Sequence, residues 1–488
     1  MSRDSVSRDL TIVLARLELP RMNDFIGRTA ELQRLGQLYA ARESAFVPIY
    51  GRRRIGKSEL IVRFLHGKPG IYFLGKQATP ELQRREFLVE AAAALDEPLL
   101  ASFPADTWKR AFDAVVERWG DRSGKGKGKL VIALDEFQWM VAESPELPSV
   151  LQEAWDRRWR AAGNVFLILC GSYLGFMERE VLGKKSPLFG RRTAQILLRP
   201  FDHREAAHFH PGYAPADLAR TRAICGGIPM YLRCFVPGRS VEQNIKAAIL
   251  DEYSPLHREP EFLLREELRD VEHYYAILMT LASGAAPSGE IARRAGIADR
   301  SIAYYLGQLV ELGYLRRRHP LTGNPPITRH VRYELDDPLL RFWFRFVYPN
   351  TSILQKLGPD QTFAARIRPE LDSYYGTSFE RLCREALPSI YEREGVSAGY
   401  EIGEYWDKHT QIDLVSLRDD AWTDLGECKW GPVRSAGALL EELDAKVARY
   451  PNPRGASIGR RIFTRQAPRE RGAKRSPGSW HSLDDFYE

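Results

Sequence analysis

The feature that most constrains this chain is the octapeptide Gly51-Arg52-Arg53-Arg54-Ile55-Gly56-Lys57-Ser58, which fits G-x-x-x-x-G-K-[ST] at every defined position. It follows a short apolar run, Phe46-Val47-Pro48-Ile49-Tyr50, and opens a stretch of helical spacing from Lys57 to Phe64. Strand, glycine-rich loop and helix in that order form a cradle: backbone N–H groups curl round phosphates at the positive end of the helix dipole. In such a cradle Lys57 reaches the β- and γ-phosphates and the Ser58 hydroxyl ligates Mg²⁺. Gly51, Arg52, Arg53, Arg54, Ile55, Gly56, Lys57, Ser58 and the next residue, Glu59, are therefore the expected nucleotide contacts.

A phosphate cradle needs an acidic partner, and Leu130-Val131-Ile132-Ala133-Leu134-Asp135-Glu136 supplies one at the end of a buried strand. Asp135 is expected to hold Mg²⁺ and Glu136 to polarise the attacking water. The run Leu169-Cys170-Gly171-Ser172 places the Ser172 hydroxyl beside the γ-phosphate, and the loop Pro187-Leu188-Phe189-Gly190-Arg191-Arg192 carries two guanidinium groups. Arg191 or Arg192 is either an arginine finger or part of an exposed basic loop. Further β-rich runs at 71–74, 129–134, 165–170 and 195–198 alternate with helix-length segments, which predicts an α/β domain with a mostly parallel sheet.

The full chain has 488 residues, a length of about three domains. With 44% hydrophobic and 28% charged residues it is neither a disordered chain nor a fibre. Its net charge, +7, permits a nucleic-acid partner without requiring one. Five scattered cysteines, with no CxxC pair, argue against a disulfide framework or zinc site and suit a reducing cytoplasm. Residues 1–21 read as a polar leader, Gly124–Lys129 as a flexible basic connection, and no run of 18 apolar residues suggests a membrane span.

After a helical segment between Asp202 and Arg258, broken at Gly226-Gly227-Ile228-Pro229, three short amphipathic stretches follow at Tyr274–Ala282, Ser288–Ala295 and Asp299–Leu312. With the basic hairpin-like stretch ending at Tyr333 they form the winged-helix pattern. Arg300, Ser301, Tyr304, Tyr305 and Gln308 would face a DNA major groove, and Arg316, Arg317, Arg318, Arg329 and Arg332 would bind phosphates from the wing; docking against protein is the alternative use. An aromatic linker, Pro338–Phe346, leads to a second α/β unit. There Gly376-Thr377-Ser378-Phe379-Glu380 begins a helix, and Asp413 and the pair Glu427 and Lys429 lie on successive strands. Two apart, Glu427 and Lys429 share a strand face, and Asp413 and Glu427 on adjacent strands can share a divalent metal while Lys429 acts on a phosphate. The arginines and lysine at 454, 460, 461, 465, 469, 471, 474 and 475 form a basic tail that either anchors a phosphate backbone or only adds solubility.

Two resemblances organise these features. Phe25-Ile26-Gly27-Arg28, the Gly51–Ser58 loop, Asp135-Glu136-Phe137-Gln138, Cys170-Gly171-Ser172 and Gly226-Gly227-Ile228-Pro229, in that order, resemble the archaeal-type ATPases, AAA+/STAND-like P-loop proteins. The resemblance implies ATP rather than GTP. The order Glu380, Asp413, Glu427-x-Lys429 resembles the PD-(D/E)xK nuclease core, which implies that Glu380 joins Asp413 and Glu427 as a metal ligand. The aromatic segment resembles the uncharacterised C-terminal domain often attached to such ATPases. The expected architecture is a leader (1–21), a P-loop AAA+-like domain (22–200), a helical lid (201–265), a winged helix (266–335), an aromatic linker (336–370) and a restriction-endonuclease-like α/β domain with a basic tail (371–488). The expected function is an ATP-hydrolysing switch that couples nucleotide state to DNA binding and a metal-dependent nuclease-like domain. The alternative is a non-nucleolytic regulator. Homo-oligomerisation stays open, since a ring would use Arg191 or Arg192 in trans.

Overall fold

The computed structural model describes residues 25–122, 128–323, 330–466 and 479–488. The polar leader, most of the Gly124–Lys129 connection, Arg329, and Arg469, Arg471, Lys474 and Arg475 lie outside the described residues. The chain divides into two compact units, residues 1–199 and 200–488. Among the described residues, no helix is long and apolar enough to cross a membrane.

The first unit is built on strands β1 (Ala45–Tyr50), β2 (Gly70–Leu74), β3 (Leu130–Asp135), β4 (Val165–Gly171) and β5 (Ile196–Leu197). Every pairing is parallel, and the order is β2-β3-β4-β1-β5. Each residue of β1, β3 and β4 is buried, as expected for strands covered on both faces. Alternation along β3 sends Ile132 and Leu134 into a core with Phe73, Phe87, Trp108 and Phe112, and Val131 and Ala133 into another with Ile61, Phe64 and Phe166. Helix α1 (Lys57–Leu65) packs its Ile61 and Phe64 into the second of these. Trp108 is stacked on Phe112 and donates its indole N–H to Ser144 Oγ at 3.0 Å.

The second unit begins with short helices and continues through α2 (Val271–Ala282), α3 (Ser288–Ala295) and α4 (Asp299–Glu311) into an antiparallel ribbon, β6 (Leu315–Arg318) with β7 (Arg332–Leu335). Residues 338–367 are helical apart from a kink at Gly358 (φ +72°), with Phe342, Phe344 and Phe346 each 2% exposed or less. These aromatics are core rather than linker. Helix α5 (Arg368–Arg393) follows, so Glu380 lies mid-helix and Gly376 does not start one. The glycine sits between Tyr374, Tyr375 and Phe379, whose buried rings hold the helix continuous there.

A second sheet closes the unit: β8 (Tyr400–Trp406), β9 (Gln411–Arg418) and β10 (Trp422–Lys429) are antiparallel neighbours. A crossover helix, α6 (Ala436–Val447), precedes β11 (Ser457–Thr464), which runs parallel to β10 and to β12 (Ser479–Ser482). Helix α5 packs against β9 and β10. Arg461 is not part of a free basic tail. It points from β11 into the interior, 4% exposed, 3.1 Å from Asp424 and 2.7 Å from Glu394. Arg460 is paired with Asp444, and Arg454 donates to the Arg418 carbonyl at 2.8 Å.

Removing one member of a buried ion pair strands its partner. Arg461→Ala should therefore cost the second unit about 3 kcal/mol in urea unfolding, with nucleotide affinity unchanged. A loss under about 1 kcal/mol would mark Arg461 as a surface cation.

Candidate functional site

The phosphate loop is shaped by its glycines. Gly51 has φ +154°, and a Cβ there would stand 2.5 Å from the Leu198 carbonyl oxygen. Gly56, at φ +90°, turns the chain into α1. Lys57 Nζ folds back to donate to the carbonyls of Gly51 at 3.0 Å and Arg52 at 2.9 Å, so its charge lies across the mouth of the loop. The loop is braced from behind by Arg28, which donates to the Ile55 carbonyl at 3.1 Å and the Arg199 carbonyl at 2.8 Å.

Asp135 is wholly buried. Its Oδ2 accepts from Ser58 Oγ at 2.6 Å and from the Tyr72 hydroxyl at 2.6 Å, and its Oδ1 accepts from the Glu136 N–H at 2.8 Å. Burial, then the Asp135 charge, raises the Tyr72 phenol far above its ordinary value, so Tyr72 is a fixed donor. The buried Cys170 thiol is likewise pushed up, by burial and then by Asp135. A hydroxyl and a carboxylate brought this close are the hard oxygen donors that Mg²⁺ takes. Ser58 and Asp135 are the residues that would hold it, and the ion would supply charge neutralisation on the phosphates.

Glu136 has φ +48°, a left-handed backbone uncommon for a side chain of this size. Its Oε2 accepts from Ser172 Oγ at 2.8 Å and from Gln138 Nε2, and Gln138 lies 3.3 Å from Ser172. The two sequence-predicted residues are thus brought together at the C-terminal edge of β3 and β4, with a third partner. Of the two arginines, Arg191 is held bidentately by Asp156 and by the carbonyls of Pro187 and Phe189. Its guanidinium donors are committed to these partners. Arg192 instead lies near the Tyr50 hydroxyl, where its charge opposes the rise that burial and Glu178 impose.

In the second unit Asp413 lies within electrostatic reach of both Glu380 and Glu427. Burial, then the Asp413 charge, pushes the Glu380 carboxyl up to about 7. Glu427, 2% exposed, is also raised by burial and Asp413, against the pull of Lys429 and Lys446. Asp413 Oδ2 accepts the Cys428 N–H at 3.1 Å, and its carbonyl accepts from Arg384. Glu427 Oε1 is 2.8 Å from Lys429 Nζ and Oε2 is 2.6 Å from Lys446 Nζ. Among the described residues, no group of three His, Cys, Asp or Glu side chains is placed to hold a metal ion.

The basic ribbon differs from the expectation of phosphate-facing arginines. Glu334, 3% exposed, takes Arg316 at 3.0 Å, Arg318 at 2.9 Å and Arg381 at 2.6 Å. Those arginines outweigh burial and hold its carboxyl far below the ordinary range. Arg318 also pairs with Glu404, and Arg332 lies over the Trp406 ring at 4.9 Å. Just past β6, Leu321 donates to the Glu404 carbonyl at 2.8 Å and accepts from the Tyr450 hydroxyl at 3.1 Å. The ribbon is fastened to the terminal sheet, since an arginine surrounded by buried carboxylates is a protein contact. On α4, Arg300 and Tyr304 are exposed, whereas Tyr305 is stacked on His273.

Residues 25–233 match the family model of an ATPase domain predominantly from Archaea. The N-terminal part of this chain is thus similar to an ATPase domain of the archaeal kind. Residues 343–439 match a family of archaeal and bacterial proteins of unknown function. An uncharacterised protein of Methanocaldococcus jannaschii is 27% identical over 410 residues, 83% of this chain and 87% of its own. Among solved structures, a Walker-type ATPase of Pyrococcus abyssi is similar over 67% of this chain and 97% of its own, at 19% identity and a TM-score of 0.47. The ORC2 protein of Aeropyrum pernix is similar over 68% and 96%, at 16% identity and 0.45.

Sequence reasoning did not assign roles to Arg28, Tyr72, Gln138 or Lys446. Tyr72 and Lys446 belong to no motif, although Arg28 and Gln138 lie inside recognised ones. Tyr72→Phe keeps the ring and deletes the phenol donor to Asp135. It should weaken Mg²⁺-dependent nucleotide binding by roughly 1–2 kcal/mol, measured with a fluorescent ATP analogue. An equal loss in EDTA would contradict a role through Asp135.

Proposed function

We propose that this chain is an ATP-binding and ATP-hydrolysing switch. The observation that carries it is the 2.6 Å contact between Ser58 and Asp135 beneath a loop whose Lys57 already spans the phosphate position. Lys57 meets the β- and γ-phosphates, Ser58 and Asp135 hold Mg²⁺, and Glu136 orients the attacking water while Ser172 and Gln138 position its carboxylate. Gly51, Arg52, Arg53, Arg54, Ile55, Gly56 and Glu59 complete the nucleotide contacts. Arg192, rather than the tethered Arg191, is the candidate to reach the γ-phosphate.

The output of the switch is read from the second unit. Helices α2 to α4 with the β6–β7 ribbon act as a winged helix, meeting DNA through Arg300 and Tyr304 on α4 rather than through the ribbon. The terminal sheet with α5 acts as a PD-(D/E)xK-like domain in which Glu380, Asp413 and Glu427 supply carboxylates and Lys429 faces a phosphodiester. The second reading, a regulator without cleavage, is favoured by one observation: both oxygens of Glu427 are already satisfied by lysines. Plasmid incubated with the protein, Mn²⁺ and ATP separates the two, since nicking that Asp413→Ala abolishes supports cleavage and intact plasmid supports the regulator.

For the ATPase itself, Lys57→Ala should weaken ATP binding by about 2 kcal/mol or more, roughly thirtyfold, without unfolding the domain. Unaltered affinity would sink the phosphate-loop assignment. Glu136→Gln should bind ATP normally and turn it over about a hundredfold more slowly; a parental rate would transfer the water-positioning role to another group.

A further inference from the structure

Helices α2 and α4 meet through a group of aromatic rings that reaches the surface. His273 of α2 is stacked on Tyr305 of α4, with ring centroids 5.0 Å apart and planes 10° from parallel. Tyr274, 4% exposed, holds Tyr305 from the inner side at 5.2 Å. Tyr304 stands edge-on to Tyr305 at 5.4 Å and is 64% exposed. His273 is also exposed. One face of its ring lies on Tyr305, so the other face meets solvent.

The charges around these rings decide what they can take. A duplex is held mainly through several phosphate contacts. In the ribbon, Arg316 and Arg318 are paired with Glu334 and Glu404, and Arg332 lies over Trp406, so those cations are already engaged within the protein. The starts of α2 and α4 mix Arg269 and Arg300 with Asp270, Glu272 and Asp299, all exposed. No row of cations follows a duplex backbone there. Stacking needs no such row, because every base has a π-face, and an unpaired base can lay that face on an aromatic ring. Within a closed duplex the same faces are covered by neighbouring base pairs. Arg300 lies one turn before Tyr304 on the same face of α4, where a guanidinium meets the phosphate next to a stacked base. Tyr304 is also the one large apolar side chain of α4 that is exposed, which gives a protein partner little apolar surface to cover.

We propose that the His273–Tyr305 stack and Tyr304 form a platform for an unpaired base, so that the partner of α4 is single-stranded nucleic acid rather than a closed duplex. The proposal rests on the reading of α2 to α4 as a nucleic-acid-binding winged helix. The base continues the stack from the open face of His273 or lies against Tyr304, and Arg300 holds the adjoining phosphate.

The test is fluorescence anisotropy of the full-length protein with a labelled oligothymidylate, an oligouridylate and a DNA duplex of equal length at one salt concentration. His273→Leu and Tyr304→Leu remove a ring at exposed positions, Tyr304→Phe keeps the ring, and Arg300→Gln removes the cation. Circular dichroism melts confirm folding. The parent should bind a single strand about tenfold more tightly than the duplex, and the tighter of the two single strands identifies the sugar. His273→Leu and Tyr304→Leu should each weaken single-strand binding by about fivefold or more and leave duplex binding unchanged, while Tyr304→Phe binds as the parent does. Single-strand binding that survives both leucine variants, or a duplex bound as tightly as either single strand, overturns the inference. If Arg300→Gln still weakens duplex binding in that case, the winged-helix reading stands without the platform. If no substitution on α2 or α4 changes the binding of any strand, both readings fall, and this face is left to a protein partner.

Discussion

The hydrogen bond from Ser58 to Asp135 is the constraint around which the first unit is organised. The two residues follow β1 and end β3, which are not neighbours, because β4 lies between them. Adjacent strands stand about 4.8 Å apart, so the pair has to reach across the end of β4. That strand ends in Cys170 and Gly171, small residues over which a serine and an aspartate can meet. The same edge gathers Glu136, Ser172 and Gln138. A parallel sheet with the order β2-β3-β4-β1-β5 thus converts residues far apart in sequence into one polar site at its C-terminal edge, the general location for ligands in open α/β sheets.

Most of this was legible in the sequence, because the phosphate loop and the acidic strand end are defined by local patterns with a physical reason for each residue. Strands buried on both faces read as continuous apolar runs, so β1, β3 and β4 were located to within a residue or two. Tyr72 was not legible. It sits on a strand of ordinary composition, and only the pairing of β2 with β3 brings its hydroxyl to Asp135. Arg28 was visible as a motif residue, but its brace to Ile55 and Arg199 is a tertiary fact.

Charge was where sequence and structure parted most. A row of arginines reads as a basic surface when its partners are unknown, yet Arg316, Arg318 and Arg461 are neutralised by Glu334, Glu404, Glu394 and Asp424. Those acids are scattered through the second unit, and no local count of charges predicts them. The terminal domain follows the same rule: Lys429 was expected from its spacing to Glu427, whereas Lys446 arrives from a crossover helix and carries no motif. Buried ion pairs of this kind add specificity to a contact more than net stability. Here they decide which of the charged side chains remain available to a ligand.

The central claim is that the Lys57, Ser58, Asp135 and Glu136 constellation hydrolyses ATP. The most direct measurement is release of inorganic phosphate from ATP by the purified full-length chain under multiple-turnover conditions, with Mg²⁺ and then with excess EDTA. The account predicts Mg²⁺-dependent turnover that ceases in EDTA. Bound but unhydrolysed ATP over many hours in Mg²⁺, or phosphate release indifferent to EDTA, would contradict it.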